Sequence, residues 1–142
     1  LALGDRDAAF AAYEKAMGLF PRNVPLTVRY AEALLAAGQP KKAHAILLDL
    51  LNNVPPTAEQ VRLIALAASA AGDTADAHYY MAELHLLRGD VIMAADQLRL
   101  ALSIPGLDSV QKARFTSRLA EIQEWLDREL RGRRQQAAGG KQ

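Results

Sequence analysis

The chain has 142 residues, 51% of them apolar and 6% aromatic, enough for one continuous core, and its wealth of Ala and Leu favours helix. It contains no cysteine, which excludes disulfides and thiolate metal sites, and no run near the ~18 apolar residues of a membrane-spanning helix. The net charge of +1 is unevenly spread: residues 1–106 carry nine Lys/Arg against eleven Asp/Glu, and residues 107–142 carry eight against five.

Along the chain, one interval recurs before any single element stands out. Gly4-Asp5, Gly38-Gln39 and Gly72-Asp73 are 34 residues apart. At the same step Ala9 falls on Ala43 and Ala77, Tyr13 on Leu47 and Met81, Ala16 on Leu50 and Leu84, and Pro21 on Pro55. An interval of this length marks a repeat built from a helix, a turn and a second helix. The glycine closes the first helix, where a left-handed residue is needed to satisfy the last carbonyls. The small Ala lets the second helix approach closely, and the bulky residues that follow at helical spacing face the core. The proline then stops the second helix.

This reading predicts helices near residues 5–19, 24–37, 40–53, 57–71, 74–88, 90–104 and 108–131, with no strand. Thr57 with Gln60, and Asp108 with Gln111, read as capping boxes opening the fourth and seventh helices. After Gly72 the register is expected to change, because Gly89-Asp90 repeats the glycine signature after only 17 residues. The helix between them carries both signatures, as a second helix through Ala77, Met81 and Leu84 and as a first helix through His78, Met81, Ala82 and His85. The last helix has an apolar stripe of Phe115, Leu119, Ile122, Leu126 and Leu130. Beyond it Arg128, Arg131, Arg133, Arg134 and Lys141 stand against Glu129. No aromatic is interleaved with those charges, so a solvated terminus is favoured over a nucleic-acid or anionic-membrane contact. Leu1 falls inside a repeat, so the chain is expected to be a piece of a longer protein. The bared apolar face of residues 1–20 is expected to self-associate or fray.

Residues 1–106 resemble the tetratricopeptide-repeat family. The segment LGDRDAAFAAYEKAMGLFP matches the second half of its consensus. The small Ala31 and Ala65 sit where first helices cross, just after Tyr30 and Ile64. The family's early Trp is replaced by Thr27 and Val61, and its later Tyr by Leu34 and Ala68. The resemblance implies an all-α, right-handed helical solenoid of about seven helices. Residues 1–106 would form the repeats, the first of them truncated, residues 107–131 a capping helix and residues 132–142 a disordered basic tail. It also implies a module that binds protein or peptide segments.

A narrower resemblance covers residues 70–130. AHYYMAELHLLRGDVIMAADQLRLAL followed by ARFTSRLAEIQEWL is similar to the C-terminal repeat region of BepA-type periplasmic zinc metallopeptidases of the M48 family. Ala77-His78, Ala82-Glu83, Gly89, Gln97-Leu98 and the Ala113-Arg114 to Leu126 helix carry the match. That resemblance implies a zinc peptidase domain upstream, a periplasmic location, and a role in outer-membrane protein quality control through substrates or assembly partners. The alternative is a stand-alone repeat adaptor or scaffold with no peptidase attached.

No catalytic, cofactor or metal residue is expected in this chain itself. The His-Glu-x-x-His signature of such peptidases is absent, so zinc would belong to the parent enzyme. Of the three histidines, His44, His78 and His85, the last two lie about 10 Å apart along one helix, too far to share a zinc unaided. Ser69, Ser103, Ser109 and Ser117 have no base or oxyanion site in view, and Gly139-Gly140 is no phosphate loop.

Peptides bound by this repeat family lie along the first helices. Carried over, the candidate partner-binding residues are Val28, Arg29, Glu32 and Leu35 on the helix at 24–37, and Glu59, Arg62, Leu63, Leu66 and Ser69 on the helix at 58–71. Val28 and Glu32 replace the Lys and Asn of family members that grip a C-terminal carboxylate. The expected ligand is therefore an amphipathic helix or extended segment, with Arg29 or Arg62 pairing an acidic residue. Tyr79, beside Tyr80, either lines a groove or fills a gap between helices. Trp125 is either a packing flank or an interface anchor.

Overall fold

The computed structural model describes residues 3–140, and every regular element among them is helical. In chain order these are α1 (Leu3–Leu19), α2 (Val24–Ala36), α3 (Pro40–Asn53), α4 (Ala58–Ala70), α5 (Thr74–Leu87), α6 (Val91–Ser103) and α7 (Ser109–Gly139). Polar and glycine punctuation sets their ends. Asn23, Thr57, Asp73, Asp90 and Asp108 each accept an N–H from the first turn of the helix that follows. Both expected capping boxes form: Thr57 with Gln60 at 3.2 and 3.3 Å, and Asp108 with Gln111 at 2.7 and 3.3 Å.

Three turns close in the same way. Gln39, Asp73 and Asp90 donate their backbone N–H to the carbonyls of Leu34, Ala68 and His85 at 2.8, 2.9 and 2.8 Å. Each turn needs a left-handed residue, supplied by Gly38, Gly72 and Gly89 with φ of 75°, 86° and 78°. Such closure caps the last carbonyls of one helix while reversing the chain into the next.

Successive helices pack side by side and alternate between two layers. α2, α4 and α6 form the first layer. α1, α3, α5 and α7 form the second, linked by Glu14–Lys42 (2.9 Å), His44···Tyr80 (3.1 Å), and Asp76–Arg114 and Glu83–Arg118 (2.6 and 2.7 Å). The helix expected to carry two signatures is the unbroken α5, and it serves two cores. Tyr80 and Leu84 join the core built with Tyr30, Leu34, Leu47 and Ile64. Ala75 and Ala82 join the core built with Leu98, Phe115 and Ile122.

Three expectations are corrected. First, the register does not change after Gly72. Gly106 lies one further 34-residue step along and again has a positive φ, 79°. Leu98 occupies the column of Tyr30 and Ile64, Phe115 that of Tyr13 and Leu47, and both are fully buried. α6 and α7 therefore form a third helix pair. Gly89 is misleading because α5 meets both neighbours through the same kind of turn.

Second, Gly4 is not a turn residue. It lies inside α1 without a positive φ, since no described helix precedes it for a left-handed residue to close. Third, α7 does not stop near 131 but continues through the stretch expected to be disordered, as far as Gly139. Arg131, Arg133, Arg134, Gln135, Gln136, Ala137 and Ala138 are strong helix formers, interrupted only by Gly132.

Candidate partner-binding surface

The outer face of the first layer contains two adjoining grooves. One, of about 360 Å³, lies between α2 and α4 and is lined by Glu32, Glu59, Arg62, Leu63 and Leu66. The other, of about 390 Å³, lies between α4 and α6 over a floor from α5. Arg62, Ala65, Leu66 and Ser69 form its α4 wall, Thr74, Ala77, His78 and Met81 its floor, and Gln97 its far side. Arg62 and Leu66 border both.

Local sequence explains this shape. Small Ala31, Ala65, Ala67 and Ala68 are buried where helices cross, which lets the layers approach closely. The gap between same-layer neighbours is then bridged only by the helix beneath. Ala77 at the floor keeps the second groove deep, and Met81 gives it an adaptable apolar base.

Leu66 is 58% exposed at the junction of the grooves. An apolar side chain that its own fold leaves in water there can gain by contact with a ligand. Glu32, Glu59 and Arg62 take part in no ion pair among the described residues, so both signs of charge remain available. His78 Nδ1 lies 2.9 Å from Gln97 Oε1, a bond that fixes the ring and joins the floor to the far wall. His85 lies further along the same helix. Among the described residues no three His, Asp or Glu converge on a point that could hold a metal ion. No described helix is long and apolar enough to cross a membrane.

Of the sequence-derived candidates, Glu32, Glu59, Arg62, Leu63, Leu66 and Ser69 line the grooves. Val28, Arg29 and Leu35 lie on α2 outside both. Val28 and Arg29 occupy the repeat positions of Arg62 and Leu63, whose side of the helix faces the preceding first-layer neighbour. Tyr79 is in the second layer, stacked on Phe115 with ring centroids 5.4 Å apart and covered by the Arg114 guanidinium at 4.5 Å. Burial pushes its hydroxyl pKa upward. Trp125, 43% exposed on α7, touches neither groove.

Sequence reasoning missed Ala77, His78, Met81 and Gln97 as groove residues, and with them the whole of α6. Read in the 34-residue register, Met93, Asp96, Gln97 and Leu100 occupy the positions of Glu59, Arg62, Leu63 and Leu66. Leu100 is 47% exposed, as its counterpart Leu66 suggests. The step from Gly72 to Gly106 was the available signal.

With this geometry in place, comparison with known proteins is informative for the first half of the chain. The tetratricopeptide-repeat family profile matches residues 1–67. Among solved structures the chain is similar to one titled "Crystal structure of MamA", at 19% identity over 88% of this chain and 92% of that one, with a TM-score of 0.44. It is similar also to one titled "Crystal structure of MamA protein", at 20% identity over 95% and 86%, with a TM-score of 0.45. No curated protein matches. Seven helices in two alternating layers, with a 34-residue register and a repeat-family match over residues 1–67, make the fold a tetratricopeptide-like helical solenoid.

Proposed function

We propose that this chain is a protein-interaction module that binds a polypeptide segment along the grooved face of α2, α4 and α6. The observation that carries the reading is the exposed Leu66 at the junction of two continuous grooves, flanked by the unpaired Glu32, Glu59 and Arg62. An amphipathic helix or extended segment fits this face. Its apolar side chains would contact Leu63, Leu66, Met81 and Leu100, and an acidic residue would pair with Arg62. Peptides selected from a random display library against the wild-type chain test it. Leu66→Asp should weaken their binding about tenfold or more, as expected for a central apolar anchor. Undiminished binding by a folded Leu66→Asp variant would refute the reading.

A finer reading concerns the parent protein and rests on the sequence resemblance of residues 70–130 alone. In it, this module is the C-terminal repeat domain of a BepA-like M48 zinc metallopeptidase. It binds substrates or assembly partners in the periplasm, while zinc and catalysis belong to an upstream domain. The alternative is a repeat adaptor without a peptidase. The full-length sequence separates them: the first requires a secretory signal and His-Glu-x-x-His upstream of Leu1.

A further inference from the structure

We propose that the second-layer face carries an independent socket for one large apolar side chain of a partner polypeptide, with a neutral carbonyl of that partner accepting a hydrogen bond from Arg114 Nε. A cavity of about 230 Å³ lies between α3 and α5, bounded by Leu51, Val61, Tyr79, Tyr80, Leu87 and Arg114. It is smaller than the roughly 300–1,000 Å³ of small-molecule and cofactor sites, and matches a single Leu or Phe side chain better than a free ligand. None of these six residues borders the grooves between α2, α4 and α6.

The walls are held rigidly, so the socket cannot close by simple rotamer changes. The Tyr80 hydroxyl is hydrogen-bonded to His44 Nε2 at 3.1 Å. Tyr79 is fixed between Tyr80, at 5.6 Å edge to face, and Phe115, stacked at 5.4 Å. Leu87, 49% exposed, forms an apolar lip. A preformed socket spares a ligand the ordering that a collapsible one would require.

Arg114 supplies the polar complement. Its Nη2 donates to Asp76 at 2.6 Å and its guanidinium covers the Tyr79 ring. Its Nε is buried and has no hydrogen-bond partner among the described residues. A buried donor without a partner favours any ligand that brings an acceptor. Nearby charge is already matched: Asp76 offsets Arg114, while Glu83 and Glu121 hold Arg118. A further carboxylate would add negative charge to a balanced site, so the neutral carbonyl of a peptide bond is the fitting acceptor.

The test uses the whole chain and two small probes followed by ¹⁵N–¹H NMR. N-acetylphenylalaninamide, which presents an aromatic side chain between two neutral carbonyls, should shift the amides of Leu51, Tyr79 and Leu87 saturably. A Kd of about 1 mM is expected from the affinity that some fifteen non-hydrogen atoms sustain. N-acetylglycinamide, with the carbonyls but no side chain, should produce no saturable shift. Leu87→Trp, which narrows the mouth from an exposed position, should weaken the first probe about fivefold. Arg114→Lys, which keeps the charge but removes Nε, should weaken it about threefold. Shifts that do not saturate by about 20 mM, shifts centred on Leu63 and Leu66, or unchanged binding by folded Leu87→Trp would overturn the proposal. If Arg114→Lys does not fold, Leu87→Trp alone decides. Display-selected peptides that require Leu66 report on the first-layer grooves separately.

Discussion

Asp76 of α5 and Arg114 of α7 meet at 2.6 Å, tying the last helix to one two places earlier in the chain. Asp76 also accepts from Gln111 at 3.1 Å. The Asp76 side chain is 11% exposed and that of Arg114 34%, so the pair lies between an exposed ion pair, worth under about 1 kcal/mol, and a fully buried one. Asp76→Asn is expected to lower stability by about 1–2 kcal/mol. Hydrogen exchange should show the loss first in the amides of residues 109–122, because those are the turns this contact holds in place.

The third helix pair can be tested through its glycine. Nothing lies within 4 Å of a Cβ built on Gly72 or Gly106, so an added methyl meets only the conformational cost of a positive φ. Gly72→Ala and Gly106→Ala should each lower the unfolding free energy by about 1 kcal/mol. Gly4→Ala should not lower it, since Gly4 is helical and Ala is the better helix former. Denaturant titrations of the three variants would show this ordering.

Alkaline stability should depend on Tyr80. Burial raises its hydroxyl pKa above the ordinary 10.0, with Asp76 adding to the shift, and burial raises Tyr79 as well. In the unfolded chain both hydroxyls ionise near pH 10 while the folded chain still holds its protons. The stabilisation they provide is therefore complete below pH 10 and declines as pH rises above it. The unfolding midpoint should stay level between about pH 7 and 9 and fall beyond about pH 10. Tyr80→Phe should make that fall shallower while costing about 1 kcal/mol at neutral pH through the lost bond to His44.

The far end of α7 should contribute nothing to folding. Arg131 and residues 133–140 are exposed, and the buried residues of the helix are Phe115 and Ile122. Truncation after Leu130 should leave the thermal midpoint unchanged within about 1 °C. Phe115→Ala, which removes a fully buried ring, should cost about 3–5 kcal/mol.

Much of this architecture is visible in local sequence, because its punctuation is local. Gly38, Gly72, Thr57 and Asp108 act on chain within a few residues of themselves, and the seven helices follow from them. Layer membership is not local. Gly72 and Gly89 make the same turn, so only the next full step, to Gly106, shows that α6 continues the layer of α2 and α4. Gln97 and Leu100 were therefore passed over as binding positions. Contacts such as Arg114 with Asp76 or Tyr79 with Phe115 join residues far apart in sequence, and no periodicity in the chain announces them. Tyr79 was singled out correctly as unusual but assigned to the wrong face.

The most direct test of the central claim is a methyl- and amide-NMR footprint of a display-selected peptide at saturation. The account predicts that the largest shifts fall on Leu63, Leu66, Met81 and Leu100, and that Leu87→Asp on the opposite face binds as tightly as the wild type. A footprint centred on the second layer or on the end of α7, with Leu66 and Leu100 undisturbed, would contradict it.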